Sequence, residues 1–235
     1  QHAVWRTMEH EQLAQLEAIF QRIPTLYIAD GHHRSSAFSS YAREKSGRGA
    51  PDPALMAYTL PASQLNIASF HRLLHSLPVR DVQTFLEQAS HLFLIEKLEE
   101  ARLPNREGEL VVCIGKQWYS WTVRSAAYEA DTHCAKLDVY ILDQAFLKGT
   151  LGMDVNEENA NMRFVEGTMR LARLRERAEA EGVEVVFLLH PIGMQTLMEL
   201  SDAGETLPPK STWIEPKLRS GLFVQPLAEP DPANW

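Results

Sequence analysis

The apolar residues of this chain come in short runs of strand length, each closed by turn-forming residues. Thr25–Ala29 (TLYIA) stops at Asp30-Gly31, Leu110–Gly115 (LVVCIG) stops before Lys116, and Val183–Leu189 (VEVVFLL) stops before His190-Pro191. A run of this kind fits a strand buried in a sheet. The longest falls well short of the roughly 20 residues a membrane span needs, so a soluble protein is expected. Between the runs lie segments with helical spacing. Glu9–Arg22 places Leu13, Leu16, Ile19 and Phe20 on one face, and His32–Lys45 does the same with Ala37, Phe38, Tyr41 and Ala42. Sheet runs alternating with amphipathic helices predict an α+β fold, a mixed sheet with flanking helices.

Along the chain, Thr25–Ala29, the Asp30-Gly31 turn and the His32–Lys45 helix read as strand, tight turn and helix. A parallel return through Leu55–Leu60 would complete a βαβ-like unit. Ile67–Leu74 is a weaker strand. Pro78–Ala89 is a helix with Asp81 near its start, His91–Leu98 a strand, and Leu110–Gly115 with Trp118–Val123 a hairpin in a small antiparallel sheet. Leu137–Leu147, Val165–Glu181 and Gly193–Asp202 are expected helices, Val183–Leu189 and Leu222–Leu227 strands, and Pro208–Lys217 a structured loop. No clear linker divides the 235 residues, so one α+β domain is expected, with 1–77 and 78–235 as its natural subdivision. Gln1 is not an initiator, and His2–Arg6 reads as the interior of a longer chain.

Composition narrows the function. With 23 Lys+Arg against 31 Asp+Glu the net charge is −8, which offers no basic field to a polyanion, so nucleic acid is not an expected partner. The two cysteines, Cys113 and Cys134, stand apart without a CxxC, as suits a reducing cytoplasm.

The strongest chemical feature is Asp30-Gly31-His32-His33-Arg34-Ser35-Ser36, where a strand feeds a helix. The first amides of a helix lack intrahelical acceptors and carry the positive end of its dipole, which favours a phosphate or carboxylate. Arg34 adds a fork of donors, Ser35 or Ser36 a hydroxyl, and Gly31 close access to the backbone. His32 and His33 can bond a phosphate, relay a proton near neutral pH, or join Asp30 on a metal. The plainer alternative is that Asp30 caps the helix and the histidines hydrate its end. Adjacent ligands without a third and fourth partner do not make a metal site, and none is expected.

A second candidate is the Pro208–Lys217 loop, where Lys210, Ser211 and Thr212 can grip an anion; the alternative is a solvated loop stiffened by three prolines. It is not a Walker A loop, because the preceding glycines are missing. His71, Arg72 and His75 could line a cleft but are expected to be exposed near a strand end, Trp118 and Trp121 fit one face of a strand better than a base-stacking platform, and His190 could face a site but is more often a strand end.

Tyr27–Arg34 (YIADGHHR) resembles the signature of the bacterial and archaeal domain of unknown function 1015 family. Leu207–Leu222 (LPPKSTWIEPKLRSGL) is similar to that family's C-terminal signature. Leu137–Leu142 (LDVYIL) and Phe187–Pro191 (FLLHP) extend the likeness over nearly the whole chain, which resembles the later part of a longer member. The Gly31–Arg34 core also resembles the phosphate-binding turn of the ParB and sulfiredoxin superfamily, whose relatives include free serine kinases. That resemblance implies a ParB/sulfiredoxin-like strand-turn-helix core, ATP or ADP with Mg²⁺, and phosphoryl transfer to a polar metabolite such as serine. His33 and Arg34 would then be catalytic, and Asp30, Gly31, His32, Ser35, Lys210, Ser211 and Thr212 would bind nucleotide or phosphate. Sulfiredoxins carry a catalytic cysteine in this turn; His32 and His33 stand there instead, which disfavours sulfinic-acid reduction. The acidic base of the kinases has no identifiable counterpart. A regulatory module that binds nucleotide without turnover is the alternative, and a homodimer is compatible with either.

Overall fold

In the computed structural model the sheet is built on the two runs that the sequence marks most clearly as strands. It describes residues 3–46, 54–125, 132–156, 158–219 and 221–225. The chain forms two compact units, Gln1–Leu55 and Met56–Trp235.

The second unit holds a seven-stranded sheet in which every pairing is antiparallel. Its strands are β1 (Asn66–Leu74), β2 (Phe93–Leu98), β3 (Glu109–Ile114), β4 (Gln117–Val123), β5 (Met162–Glu166), β6 (Val185–Leu189) and β7 (Thr212–Glu215), in the order β2-β4-β3-β6-β1-β5, with β7 also on β1. Both faces are covered. Leu110, Val112, Phe187 and Leu189 point into one apolar cluster, while Val111, Cys113, Val186 and Leu188 point into a second on the opposite face. Because successive side chains alternate between faces, β3 and β6 are continuous apolar runs rather than alternating ones.

The larger cluster takes Phe85 and Ala89 from α3 (Val82–Ala89), and Val139 from α4 (Asp138–Tyr140). The π-helical segment Ile141–Thr150 that continues α4 adds Ile141, Leu142, Phe146 and Leu147. Trp121 sits at its centre, fully buried, with Phe85, Phe93, Phe146 and Phe187 at ring-centroid distances of 5.2–5.9 Å. The smaller cluster is closed by Leu174 and Ala178 of α5 (Leu171–Ala180). Asp81 caps α3 as its position implied, accepting from the Thr84 amide at 2.8 Å.

Several expectations are corrected. Thr25–Ala29 and Leu55–Leu60 have no regular secondary structure and join no strand pairing among the described residues, so the βαβ-like unit is not formed. The helix expected after Gly167 begins at Leu171, and Val165 and Glu166 ahead of it end β5. The Pro208–Lys217 loop contains a strand, β7, against β1. Residues 222–225 form no strand, and the rest of Leu222–Leu227 lies outside the described residues.

The first unit contains α1 (His10–Phe20) and α2 (His32–Ser46) joined by a segment without regular secondary structure. The amphipathic face expected on α1 is present, but Leu13, Leu16, Ile19 and Phe20 are each 43–46% exposed. The last described helix, α6 (Met194–Asp202), follows β6 and buries Leu200.

Candidate functional site

Among the described residues, two places gather groups suited to chemistry, one in each unit. In the first, Gly31 has φ +86°, a left-handed conformation, and α2 starts at the next residue. The Gly31 carbonyl accepts the first helical hydrogen bond, from the Ser35 amide at 2.9 Å. The amides of the intervening residues, His32, His33 and Arg34, are therefore the first-turn donors for which a helix supplies no carbonyl of its own. All three residues are exposed, and Ser35 is half-buried. Arg34 reaches back over the turn and places Nη2 3.4 Å from Asp30 Oδ2, with its side chain 71% exposed. A Cβ on Gly31 would lie 3.1 Å from that nitrogen and would force a strained φ. The glycine thus permits both the turn and the fold-back of the guanidinium. At this exposure the ion pair contributes only about 0.3–0.5 kcal/mol, so an incoming anion can displace Asp30 at little cost.

Lys210, Ser211 and Thr212 belong to the second unit. Lys210 has φ +54°, unusual for a side-chain-bearing residue. Its carbonyl accepts from Arg72 Nη1 at 2.9 Å, and its Nζ lies 5.6 Å from the Phe70 ring centroid. Ser211 is buried and donates to the Pro208 carbonyl at 2.6 Å. Thr212 opens β7, opposite Ser69.

Arg72 fastens this region and is not the exposed residue that its position near a strand end implied. With Asp143 it forms a fully buried bidentate pair, Nε to Oδ1 at 3.1 Å and Nη2 to Oδ2 at 2.7 Å. Its remaining nitrogen, Nη1, donates to Phe70 O as well as to Lys210 O. Neighbouring His71 is likewise buried, accepting the Leu189 amide at Nδ1. Burial, and secondarily the Arg72 charge, lower its pKa to about 4, so it is neutral at physiological pH.

Within the same unit, β1, the turn before β3, α4 and the chain after β6 enclose a cavity of about 280 Å³. Its polar lining includes Ser69, Glu107, Lys136, Asp138, His190 and Ser211. Three of the four segments on which the family resemblance rests meet here: Leu137–Leu142 through Asp138, Phe187–Pro191 through His190, and Leu207–Leu222 through Ser211. Both Asp138 oxygens accept from the Gly108 amide, at 2.9 and 3.0 Å. Burial pushes this carboxyl up to about 7, with Glu107 adding to the rise and the Gly108 bond and Arg106 opposing it. His190 Nδ1 is buried with no hydrogen-bond partner among the described residues. The Gly167 amide donates to Ser69 O at 2.7 Å, an approach so close that a Cβ on Gly167 would sit 2.7 Å from the same oxygen. The order of residues singled out only Ser211 from this lining and set His190 aside as a strand end. Asp138, Glu107, Lys136 and Ser69 carry no signal in the order of residues beyond the place of Asp138 in the LDVYIL segment.

A family profile described as "Protein of unknown function (DUF1015)" matches residues 1–140. The chain belongs to this family. The matched stretch includes the Asp30–Arg34 turn and Asp138, while the Leu207–Leu222 segment lies beyond it. None of the curated proteins matches. Similar solved structures include a free serine kinase variant in complex with AMP, 16% identical, covering 89% of this chain and 82% of that chain with TM-score 0.45. A conserved hypothetical protein from Pyrococcus furiosus is also 16% identical, covering 89% and 84% with TM-score 0.45. SbnI from Staphylococcus aureus, C-terminally truncated, is 12% identical, covering 89% and 77% with TM-score 0.42. A likeness this remote transfers no activity. No helix among the described residues is long and apolar enough to cross a membrane, and no cluster of three or more His, Cys, Asp or Glu among them is arranged to hold a metal ion.

Proposed function

We propose that the protein is a cytoplasmic phosphotransferase that binds a purine nucleotide with Mg²⁺ at the Asp30–Ser35 turn and passes phosphate to a small polar metabolite, serine being the first to test. The observation that carries this reading is Gly31, whose left-handed φ starts a 15-residue helix with exposed residues at its first three positions and an exposed arginine folded over the turn. In phosphoryl transfer the protein's work is positioning and charge neutralisation. The first-turn amides and the helix dipole hold phosphate oxygens, Arg34 exchanges Asp30 for the transferred group, and His33 orients or relays a proton. His32 and Ser35 add donors to the same phosphates. Mg²⁺ reaches such sites on the phosphates of its nucleotide and needs only one or two protein carboxylates. Asp30, at the mouth of the turn, fits that role once Arg34 has moved to the phosphate.

The resemblance of the Gly31–Arg34 core to the ParB and sulfiredoxin phosphate turn supports a nucleotide as the phosphate carrier. The free serine kinase solved with AMP names serine as the acceptor to try. Lys210, Ser211 and Thr212, offered by the sequence as a second anion grip, have structural contacts of their own in the sheet unit, and the reading rests on the turn. Calorimetry of ATP and ADP with Mg²⁺ is the test. Binding by the wild type and its loss in Arg34→Ala support the reading; equal affinity in the two proteins overturns it.

A further inference from the structure

The cavity of the sheet unit has a donor and acceptor pattern that selects one class of ligand. Ser69 Oγ spends its hydrogen on the Leu189 carbonyl at 2.8 Å, and Ser211 Oγ spends its own on Pro208 O at 2.6 Å. Both hydroxyls line the cavity from buried residues and keep lone pairs to offer it. Asp138 adds a half-buried carboxylate, and His190 adds a buried Nδ1 that has no hydrogen-bond partner among the described residues. Glu107 and Lys136, both exposed, stand at the rim, where water screens them. The interior therefore presents acceptors and one carboxylate with no cation of its own. A phosphate or carboxylate ligand would meet the Asp138 carboxylate and the lone pairs of the two serine hydroxyls there. A bare metal ion is equally unsuited, since the acidic and imidazole groups do not converge on a point. The volume, about 280 Å³, is at the small end of ligand sites.

We propose that this cavity binds a small hydroxylated primary amine, its ammonium against Asp138 with Glu107 as the outer acceptor, and its hydroxyls donating to Ser69, Ser211 and His190 Nδ1. This assignment is independent of the phosphate turn and stands or falls without it. It also accounts for the juxtaposition of three family-like segments around one small space. Ionised Asp138 is the form that takes an ammonium, so binding competes with a proton at that carboxyl. With its pKa at about 7, the ionised fraction rises roughly tenfold between pH 6 and pH 8, and affinity for an amine rises with it. The charged and titratable groups facing Asp138 are Glu107 and Arg106 beside Gly108, Lys136 on the approach to α4, and His190 across the cavity.

The test compares 2-amino-1,3-propanediol with glycerol, which has the same shape but carries a hydroxyl in place of the ammonium. Titration of the whole ¹⁵N-labelled chain is followed at the Gly108 amide, which bonds to Asp138. The expected result is a saturable shift with the amine, about tenfold tighter at pH 8 than at pH 6, with glycerol at least tenfold weaker. Glu107→Gln, an exposed change, weakens the amine several-fold, and Asp138→Asn removes both the binding and its pH dependence. Absence of a saturable shift, equal binding of glycerol, or an affinity flat between pH 6 and pH 8 overturns the assignment. The wild-type pH comparison and Glu107→Gln decide it even if Asp138→Asn fails to fold.

Discussion

The two units use the same kind of sequence to opposite ends. In the sheet unit, helix faces such as Phe85 and Ala89 of α3 meet Trp121 and Phe187 and vanish from solvent. In the first unit, α1 has an equally regular apolar face, yet Leu13, Leu16, Ile19 and Phe20 keep nearly half their surface exposed. Helical periodicity thus states which face would be buried, and only a partner surface turns it into core. The chemistry divides in a similar way. The turn at Gly31 is local, exposed and made by five consecutive residues, whereas the cavity around Asp138 is assembled from segments far apart in the sequence.

This contrast can be broken by substitution. Trp121→Ala empties the centre of the aromatic cluster and is expected to cost about 3–5 kcal/mol in denaturant unfolding. Arg72→Met strands the Asp143 carboxylate in a dry interior and should cost a similar ~3–5 kcal/mol, while the double change Arg72→Met with Asp143→Leu recovers a large part of the loss. If either single change in the sheet unit proves nearly neutral, the cluster is not what holds that unit together.

A pH scan sharpens the same point. His71 is held neutral in the fold with its pKa at about 4, against 6.5 when unfolded, so the unfolded chain takes up its proton first as pH falls. The His71 contribution is therefore intact above pH 6.5 and is lost progressively between pH 6.5 and about 4, amounting to about 3 kcal/mol. The difference between wild type and His71→Gln, measured across that window, should show this slope; a difference that does not vary with pH contradicts it. Asp81→Ala, which removes the cap of α3, should cost about 1 kcal/mol. Leu16→Ala on the exposed face of α1 should cost about 1 kcal/mol or less by the same unfolding measurement. A loss at Leu16 as large as that at Trp121 would erase the distinction between the units.

What was legible in the sequence follows the same division. LVVCIG and VEVVFLL are apolar on both faces, and both are central strands because the sheet is covered on both sides. TLYIA and LMAYTL look alike by composition but pair with nothing among the described residues, because strand propensity cannot supply a neighbour. β5 was hidden because its residues run on into a helical pattern, and β7 because prolines flank it. Gly31 and Arg34 were legible because a turn residue followed at fixed spacing by a cation is a local signal. Arg72 was misjudged because its partner, Asp143, lies 71 residues away. The cavity was missed for the same reason: Ser69, Glu107, Asp138, His190 and Ser211 carry no mutual spacing until the antiparallel sheet folds them together.

We propose that phosphate binds at the Gly31 turn. Titrating ADP with Mg²⁺ into the ¹⁵N-labelled chain, beside a Gly31→Val variant, tests it residue by residue. Saturable shifts largest at the amides of Gly31 to Arg34 are expected, lost in Gly31→Val while the sheet resonances stay in place. Shifts confined to the sheet unit, or undiminished in the variant, would contradict it.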